Sequence, residues 1–335
     1  MPKTIIEVNN LSKVFIRHKK MPGFKGSIKG LFIREKIETR AVDQINFSIK
    51  EGEIVGFLGA NGAGKTTTLK MLAGILYPTS GQIAIDGFIP QERKNEFKKS
   101  IGMVMGQKQQ LLWDLPAEDS FELLKELFAI QEDEYHKHLN RLVRLLDVKD
   151  LLNIQVRQLS LGQRMKMEII AALIHQPKIL FLDEPTLGLD IVSQKNIREF
   201  FKEYNREHKT TILLTSHYME DIKSLCERVI IINHGQIVYD NLLSKLVKDR
   251  LKHKIIRITL SKASSISLAK YGKIIKSDSL QVELAVDRTK ATLVAKQILD
   301  DLEVEDINID EPEAEEVVRE IFQSKVKIQK LEVKR

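Results

Sequence analysis

The chain has 335 residues, 43% of them hydrophobic and 30% charged, with a formal net charge of +7 and one cysteine. That composition suits a folded chain with a sizeable core, and Cys226 alone excludes an internal disulfide and hence a disulfide scaffold. No run of about 18 apolar residues occurs, so no helical membrane span is expected, and Met1-Pro2-Lys3-Thr4 lacks the apolar stretch of a signal peptide.

Residues 5–15 read as a first strand ending in the aromatic Phe15. A basic stretch follows over about 17–40, with eight Lys/Arg against two Glu and with Pro22, Gly23, Gly26 and Gly30. Its apolar Ile28, Leu31, Phe32 and Ile33 among basic residues fit either a membrane-interface segment or a solvated loop. Alternation resumes at 41–49, a half-exposed strand, and 54–58 is a continuous apolar run, as in a strand buried on both faces of a sheet. A helix is predicted over about 64–76, before Pro78, Ser80 and Gly81. Leucines at helical spacing continue from Pro116 to about Asp150. Ser160 is a good N-cap for a helix running to about His175, and Pro177 stops it.

Three more apolar strands are predicted at 179–182, 211–215 and 228–232. Strands alternating with helices indicate an α/β core with a largely parallel sheet. The pattern changes near Leu246, so residues 246–335 are expected to form a small α+β domain with a basic tail. That domain is expected to contain a strand at 255–260, then a helix and two more strands, one of them at 280–286, a helix over about 289–302, and an acidic segment over about 300–320.

The apolar strand at 54–58 runs into Gly59-Ala60-Asn61-Gly62-Ala63-Gly64-Lys65-Thr66, followed by a helix. This is the order a phosphate-binding loop requires. Glycines let backbone N–H groups turn toward phosphate oxygens, and the helix N-terminus favours an anion. Lys65 supplies a point charge, and the Thr66 hydroxyl can ligate Mg²⁺. The strand at 179–182 carries Asp183 to its C-terminal end, where parallel sheets bind ligands. Asp183 is the expected Mg²⁺ partner, and Glu184 can polarise an attacking water.

With these motifs stand Leu159-Ser160-Leu161-Gly162-Gln163, Pro185-Thr186-Leu187-Gly188-Leu189-Asp190 and Thr215-Ser216-His217. Together, over about residues 4–240, they resemble the ATP-binding cassette (ABC) ATPases. The resemblance implies a P-loop cassette over 1–245, with the basic insertion at about 17–40 and a helical subdomain at about 107–170. It makes Gly59, Asn61, Gly62, Ala63, Gly64, Lys65, Thr66 and Thr67 the ATP-binding loop, with Phe15 stacking on adenine. Ser160, Gly162 and Gln163 belong to the family signature, which reads the nucleotide held by a second copy of the fold. Asp190 is the aspartate of a dimer-contacting loop, and His217 senses the γ-phosphate. Gln107, seven residues before Asp114, corresponds to a glutamine that meets Mg²⁺ and the attacking water, with Gln109 and Gln110 as competitors. Leu161 departs from the pattern by replacing the first signature glycine.

The implied partners are a second ATP-binding subunit, identical or paralogous, and a separate transmembrane permease. The implied place is peripheral, on the cytoplasmic face of the membrane, with no nucleic acid expected. Within the family the chain most resembles drug-resistance-type export ATPases. Polysaccharide export, and a soluble ATPase acting on nucleic acid or ribosomes, are the alternatives. Trp113, Leu115 and Phe121 lie where a permease helix would dock, or else pack in the helical subdomain.

Overall fold

The computed structural model describes residues 3–18, 36–106, 109–250, 253–262, 267–278, 280–310 and 318. The chain divides into two compact units, Met1–Asp240 and Asn241–Arg335.

The first unit holds two sheets. Strands β1 (Thr4–His18) and β2 (Lys36–Lys50) pair antiparallel as a long ribbon, and β4 (Ser80–Ile85) pairs along the other edge of β1. The first strand therefore runs three residues beyond Phe15, to His18. The ends of the expected insertion are strand, because Arg17 pairs with Ile37 and His18 with Lys36. Its middle, 19–35, lies outside the described residues. The ladder slips by one residue between Lys13–Val42 and Val14–Arg40, which leaves Ala41 as a bulge.

The second sheet has six strands in the order β5-β6-β7-β3-β8-β9. These are β3 (Ile54–Leu58), β5 (Ile101–Met105), β6 (Ile179–Asp183), β7 (Thr211–Thr215), β8 (Arg228–Asn233) and β9 (Gln236–Leu242). The pairs from β5 through β8 are parallel. Every residue of β6 and β7 is buried, which is why both read as unbroken apolar runs. Helix α1 (Lys65–Leu72) follows β3 and stops at Ala73, short of the expected Leu76, because Gly74 takes a left-handed turn (φ 69°). Helix α2 (Asn95–Ser100) precedes β5.

The helical segment comprises α3 (Ala117–Phe128), α4 (Glu132–Leu146) and α5 (Leu161–Leu173). It is broken where Ala129 and Asp147 adopt left-handed conformations (φ 51° and 52°). Helices α6 (Ile191–His208) and α7 (Met219–Leu225) flank β7 in the chain. Phe57, Phe181, Leu213 and Ile230 from the strands share one core with Leu69 and Leu72 of α1.

The second unit opens with α8 (Leu243–Arg250) and builds an antiparallel sheet ordered β11-β12-β10-β13. The strands are β10 (His253–Leu260), β11 (Lys273–Ser277), β12 (Gln281–Asp287) and β13 (Val304–Asp310). Ile256, Ile258, Val282 and Leu284 bury one face against Ala295 and Ile298 of α9 (Ala291–Asp301). The acidic segment thus begins at the end of α9 and continues as strand β13, and most of its remainder beyond Asp310 falls outside the described residues.

Candidate active site

Strand β3 delivers the glycine loop to the edge of a cavity of about 390 Å³. Asn61, Gly62, Ala63, Gly64, Lys65, Thr66 and Thr67 line it, with Ala41, Glu184, Leu187 and His217. The loop's shape depends on two close approaches. A Cβ on Gly59 would stand 2.6 Å from the Ile232 carbonyl oxygen of β8. One on Gly64, which has φ +113°, would stand 2.4 Å from the Ala41 carbonyl oxygen at the ribbon bulge. The bulge in β2 therefore presses on the start of α1.

Lys65 is 5% exposed, and its Nζ donates to the Gly59 carbonyl at 2.7 Å and to Ala60 at 3.3 Å. Burial lowers its pKa, against the opposing pull of the Glu184 and Asp183 carboxylates.

Strand β6 brings Asp183 to the same edge. Its Oδ1 accepts from the Thr66 hydroxyl at 3.1 Å and from the Thr215 hydroxyl at 2.8 Å. Glu184 follows with a left-handed backbone (φ 58°), held by its N–H to the Thr215 carbonyl at 3.0 Å. That turn swings the carboxylate toward β7, where Glu184 Oε1 meets His217 Nε2 at 2.7 Å. A carboxylate and an imidazole in contact beside a phosphate-sized cradle can orient a water and donate to developing charge. The Thr66 hydroxyl and the Asp183 carboxylate are hard oxygen donors that could share a Mg²⁺ ion.

Gln107 lies outside the described residues. Its neighbour Gly106 passes directly over the end of β6, where a Cβ would stand 2.4 Å from the Glu184 carbonyl oxygen. Of its competitors, Gln110 spends its side chain on the Met103 carbonyl at 2.7 Å. The backbone N–H of Gln110 goes to the buried Glu168 carboxylate of α5 at 3.0 Å. Phe15 is 37% exposed on β1 beneath the Lys13 ammonium (5.3 Å) and does not line the cavity, which the ribbon reaches through Ala41.

Ser160 caps α5 in a reciprocal box: its Oγ accepts from the Gln163 N–H at 3.2 Å, and its own N–H donates to Gln163 Oε1 at 2.9 Å. This leaves the Ser160 hydroxyl proton and the first helical N–H groups, those of Leu161 and Gly162, for an anion. No residue of 159–163 lines the phosphate-loop cavity. Gly162 lies close against α6, since a Cβ there would sit 2.8 Å from Ser193 Oγ and that side chain would have to shift. Leu161 has room because Gly188 faces it, with the Leu161 Cδ2 only 3.1 Å from where a Cβ on Gly188 would be. Asp190 caps α6 through the Ser193 N–H (2.9 Å) and hydroxyl (2.6 Å), which lower its pKa, and it too stands away from the cavity.

Phe121 is fully buried and belongs to the core, whereas Trp113 (42%) and Leu115 (43%) are exposed. The Arg164 guanidinium of α5 lies over the Trp113 ring at 5.3 Å.

The sequence reading missed Ala41, Leu187 and Thr215 as site residues. Thr215 carried a signal, a hydroxyl at the end of an apolar strand. Its partner is set by sheet register, because Asp183 and Thr215 are direct neighbours on parallel strands.

Two family models and several known proteins match the chain. Residues 42–187 match the family model described as ABC transporter. Residues 252–310 match the one described as EvrA-like ABC transporter, C-terminal domain. The chain is 37% identical over 231 residues to the ABC transporter ATP-binding protein NatA of Bacillus subtilis, covering 69% of this chain and 94% of that one. It is 33% identical over 220 residues to the linearmycin resistance ATP-binding protein LnrL of the same organism, covering 66% and 70%. It is also 33% identical over 263 residues to the methionine import ATP-binding protein MetN of Vibrio vulnificus, covering 76% and 71%. Among solved structures, the dimeric post-hydrolysis ATP-binding cassette MJ0796, bound to ADP and Pi, superposes with a TM-score of 0.59 at 25% identity, covering 71% of this chain and 98% of that one.

Proposed function

The chain belongs to the ATP-binding proteins of ABC transporters and is an ATPase, and from that premise we propose that it works as an ATP-bridged dimer driving a separate export permease. The observation that carries the dimer is the position of the signature. Ser160 and Gly162 offer anion donors at an exposed helix start, yet they do not line the chain's own phosphate cavity. A second copy placed head to tail gives them a nucleotide to read. The dimeric MJ0796 cassette supports this reading.

In each site the Lys65 ammonium and the N–H groups of residues 61–67 hold the β- and γ-phosphates. Thr66, Asp183 and Gln107 are the residues that would hold Mg²⁺. When bound, that ion neutralises phosphate charge and orients the terminal phosphoryl group. Glu184 orients the attacking water, and His217 donates to charge developing on the γ-phosphate. The Asp190 loop and α6 contact the partner copy, and Phe15 stacks on the base. ATP binds the closed dimer better than the open one, so hydrolysis releases the halves.

Export is supported by the resistance function in the name of LnrL, although MetN is named for import. The exposed Leu112, Trp113 and Leu115 form an apolar surface suited to a cytoplasmic helix of a permease at the membrane. No described helix is long and apolar enough to cross a membrane.

The test is Glu184→Gln, which keeps shape but removes the carboxylate charge. Turnover should fall by ~10²-fold or more, with a dimer accumulating in ATP on size-exclusion chromatography. Near-normal turnover of the purified variant refutes the assignment.

A further inference from the structure

Behind the Glu184–His217 pair lies a buried polar cluster that none of the assigned roles uses. Asp221, in the first turn of α7, is 1% exposed. Its Oδ2 accepts two hydroxyls, from Thr186 at 2.5 Å and from Ser216 at 2.6 Å. Its Oδ1 accepts from the Arg198 guanidinium of α6 at 3.0 Å. Thr186 stands two residues after Glu184, and Ser216 stands one residue before His217. One carboxylate oxygen therefore ties together the two backbone segments that present the reacting pair.

We propose that Asp221 is a positioning residue for hydrolysis: its buried carboxylate sets the separation of Glu184 and His217 by holding Thr186 and Ser216 at once. Burying an ion pair is an inefficient way to stabilise a fold, since apolar side chains of equal volume do as well or better. What the cluster supplies is a fixed distance. The Ser216 hydroxyl also accepts the Tyr218 N–H at 2.9 Å, so the backbone on both sides of His217 is pinned. On the other segment, the Thr186 carbonyl accepts from the Leu189 N–H at 3.2 Å, closing the turn that follows Glu184. Arg198 holds Asp221 against rotation from the opposite side. Asn at position 221 keeps the size, but its amide presents N–H groups to donors already committed and cannot take both hydroxyls and the guanidinium.

The inference rests on the catalytic reading of Glu184 and His217, and a double-mutant cycle separates the two. Asp221→Asn is measured in the wild-type and in the His217→Ala background, by single-turnover ATP hydrolysis with excess enzyme. Binding of a fluorescent ATP analogue and urea unfolding are measured alongside. A misplacement of about 1 Å costs on the order of 10²-fold in rate. Turnover of Asp221→Asn should therefore fall ~10- to 100-fold in the wild-type background, with nucleotide affinity retained within about twofold. In the His217→Ala background the same change should lower turnover less than about twofold, because the distance it sets no longer matters. Asp221→Glu, which keeps the charge, should recover part of the loss.

Equal losses in both backgrounds, or a loss in affinity that matches the loss in rate, overturn the proposal. If Asp221→Asn does not fold, Thr186→Val and Ser216→Ala remove the two donors singly, and each must show the same background dependence. Glu184→Gln run beside them distinguishes the failures. Normal turnover there removes the catalytic reading. Collapse there with Asp221→Asn unaffected removes only the positioning role.

Discussion

Replacing His138 should flatten the acid side of the stability curve. His138 lies on α4, 5% exposed, with Nε2 3.0 Å from the Leu173 carbonyl at the end of α5. Its ring meets the edges of Tyr204 and His208 of α6 at centroid distances of 6.4 and 5.9 Å. Burial pushes its pKa from 6.5 to about 4, the Leu173 bond opposes that shift, and His208, Arg141 and His175 add positive charge nearby. The buried ring is therefore neutral and donates to Leu173. The unfolded chain takes up a proton near pH 6.5 and the folded one only near pH 4, so stability is full above pH 6.5 and is lost as pH falls through this window. Taking those two values, the loss between pH 7.5 and pH 5 is about 2 kcal/mol, approaching ~3 kcal/mol below pH 4.

His138→Gln keeps a donor for Leu173 but does not titrate. Urea unfolding of both proteins at pH 7.5 and pH 5 gives the comparison. The variant should lose stability at pH 7.5 through poorer packing, yet its drop on going to pH 5 should be smaller than the wild-type drop by about 2 kcal/mol. An unchanged drop refutes the assignment of this acid sensitivity to His138.

Gly64→Ala should cost ~2 kcal/mol or more, since φ +113° is strained for any side chain and the methyl would stand 2.4 Å from the Ala41 oxygen; nucleotide binding and thermal unfolding read both consequences. Ser160→Ala removes the α5 cap, costing about 1 kcal/mol, and should abolish ATP-driven dimerisation on size-exclusion chromatography while leaving ATP binding intact. Phe121→Ala should destabilise the chain by ~3–5 kcal/mol. Trp113→Ala, at a half-exposed ring, should cost under about 1 kcal/mol and should instead uncouple hydrolysis from the permease, as read by transport alongside ATPase activity.

The parts of the fold legible in the sequence are those where one local pattern has one physical cause. Strands β3, β6, β7 and β8 are buried on both faces and so read as apolar runs. The glycine loop is legible because only its spacing fits a turn against neighbouring carbonyls. Helix α6 was also open to such a reading, since Ile197, Phe200, Phe201 and Tyr204 form its buried stripe at helical spacing. The rest is set by partners distant in the chain. Thr186 and Asp221 are 35 residues apart, and nothing near either one announces the hydrogen bond. The bulge at Ala41 arises from the pairing of β1 with β2, and only the folded ribbon shows that its carbonyl fixes Gly64. The fit of Leu161 is of the same kind, a departure at one position made possible by an empty one at Gly188.

The bond from Lys65 to its own loop has a bearing on selectivity. The ammonium gives two of its three donors to the Gly59 and Ala60 carbonyls, so an incoming triphosphate meets a cation already held in place by the loop. That grip is blind to the base: it serves every nucleoside triphosphate alike. Any discrimination among bases then falls outside the phosphate loop, and the proposed stacking on Phe15 would place it along the β1–β2 ribbon, which among the described residues lines the cavity through Ala41. On that proposal, reshaping the ribbon away from Ala41 would change which nucleotide fuels the protein, whereas a change at Ala41 would also disturb the phosphate loop through Gly64.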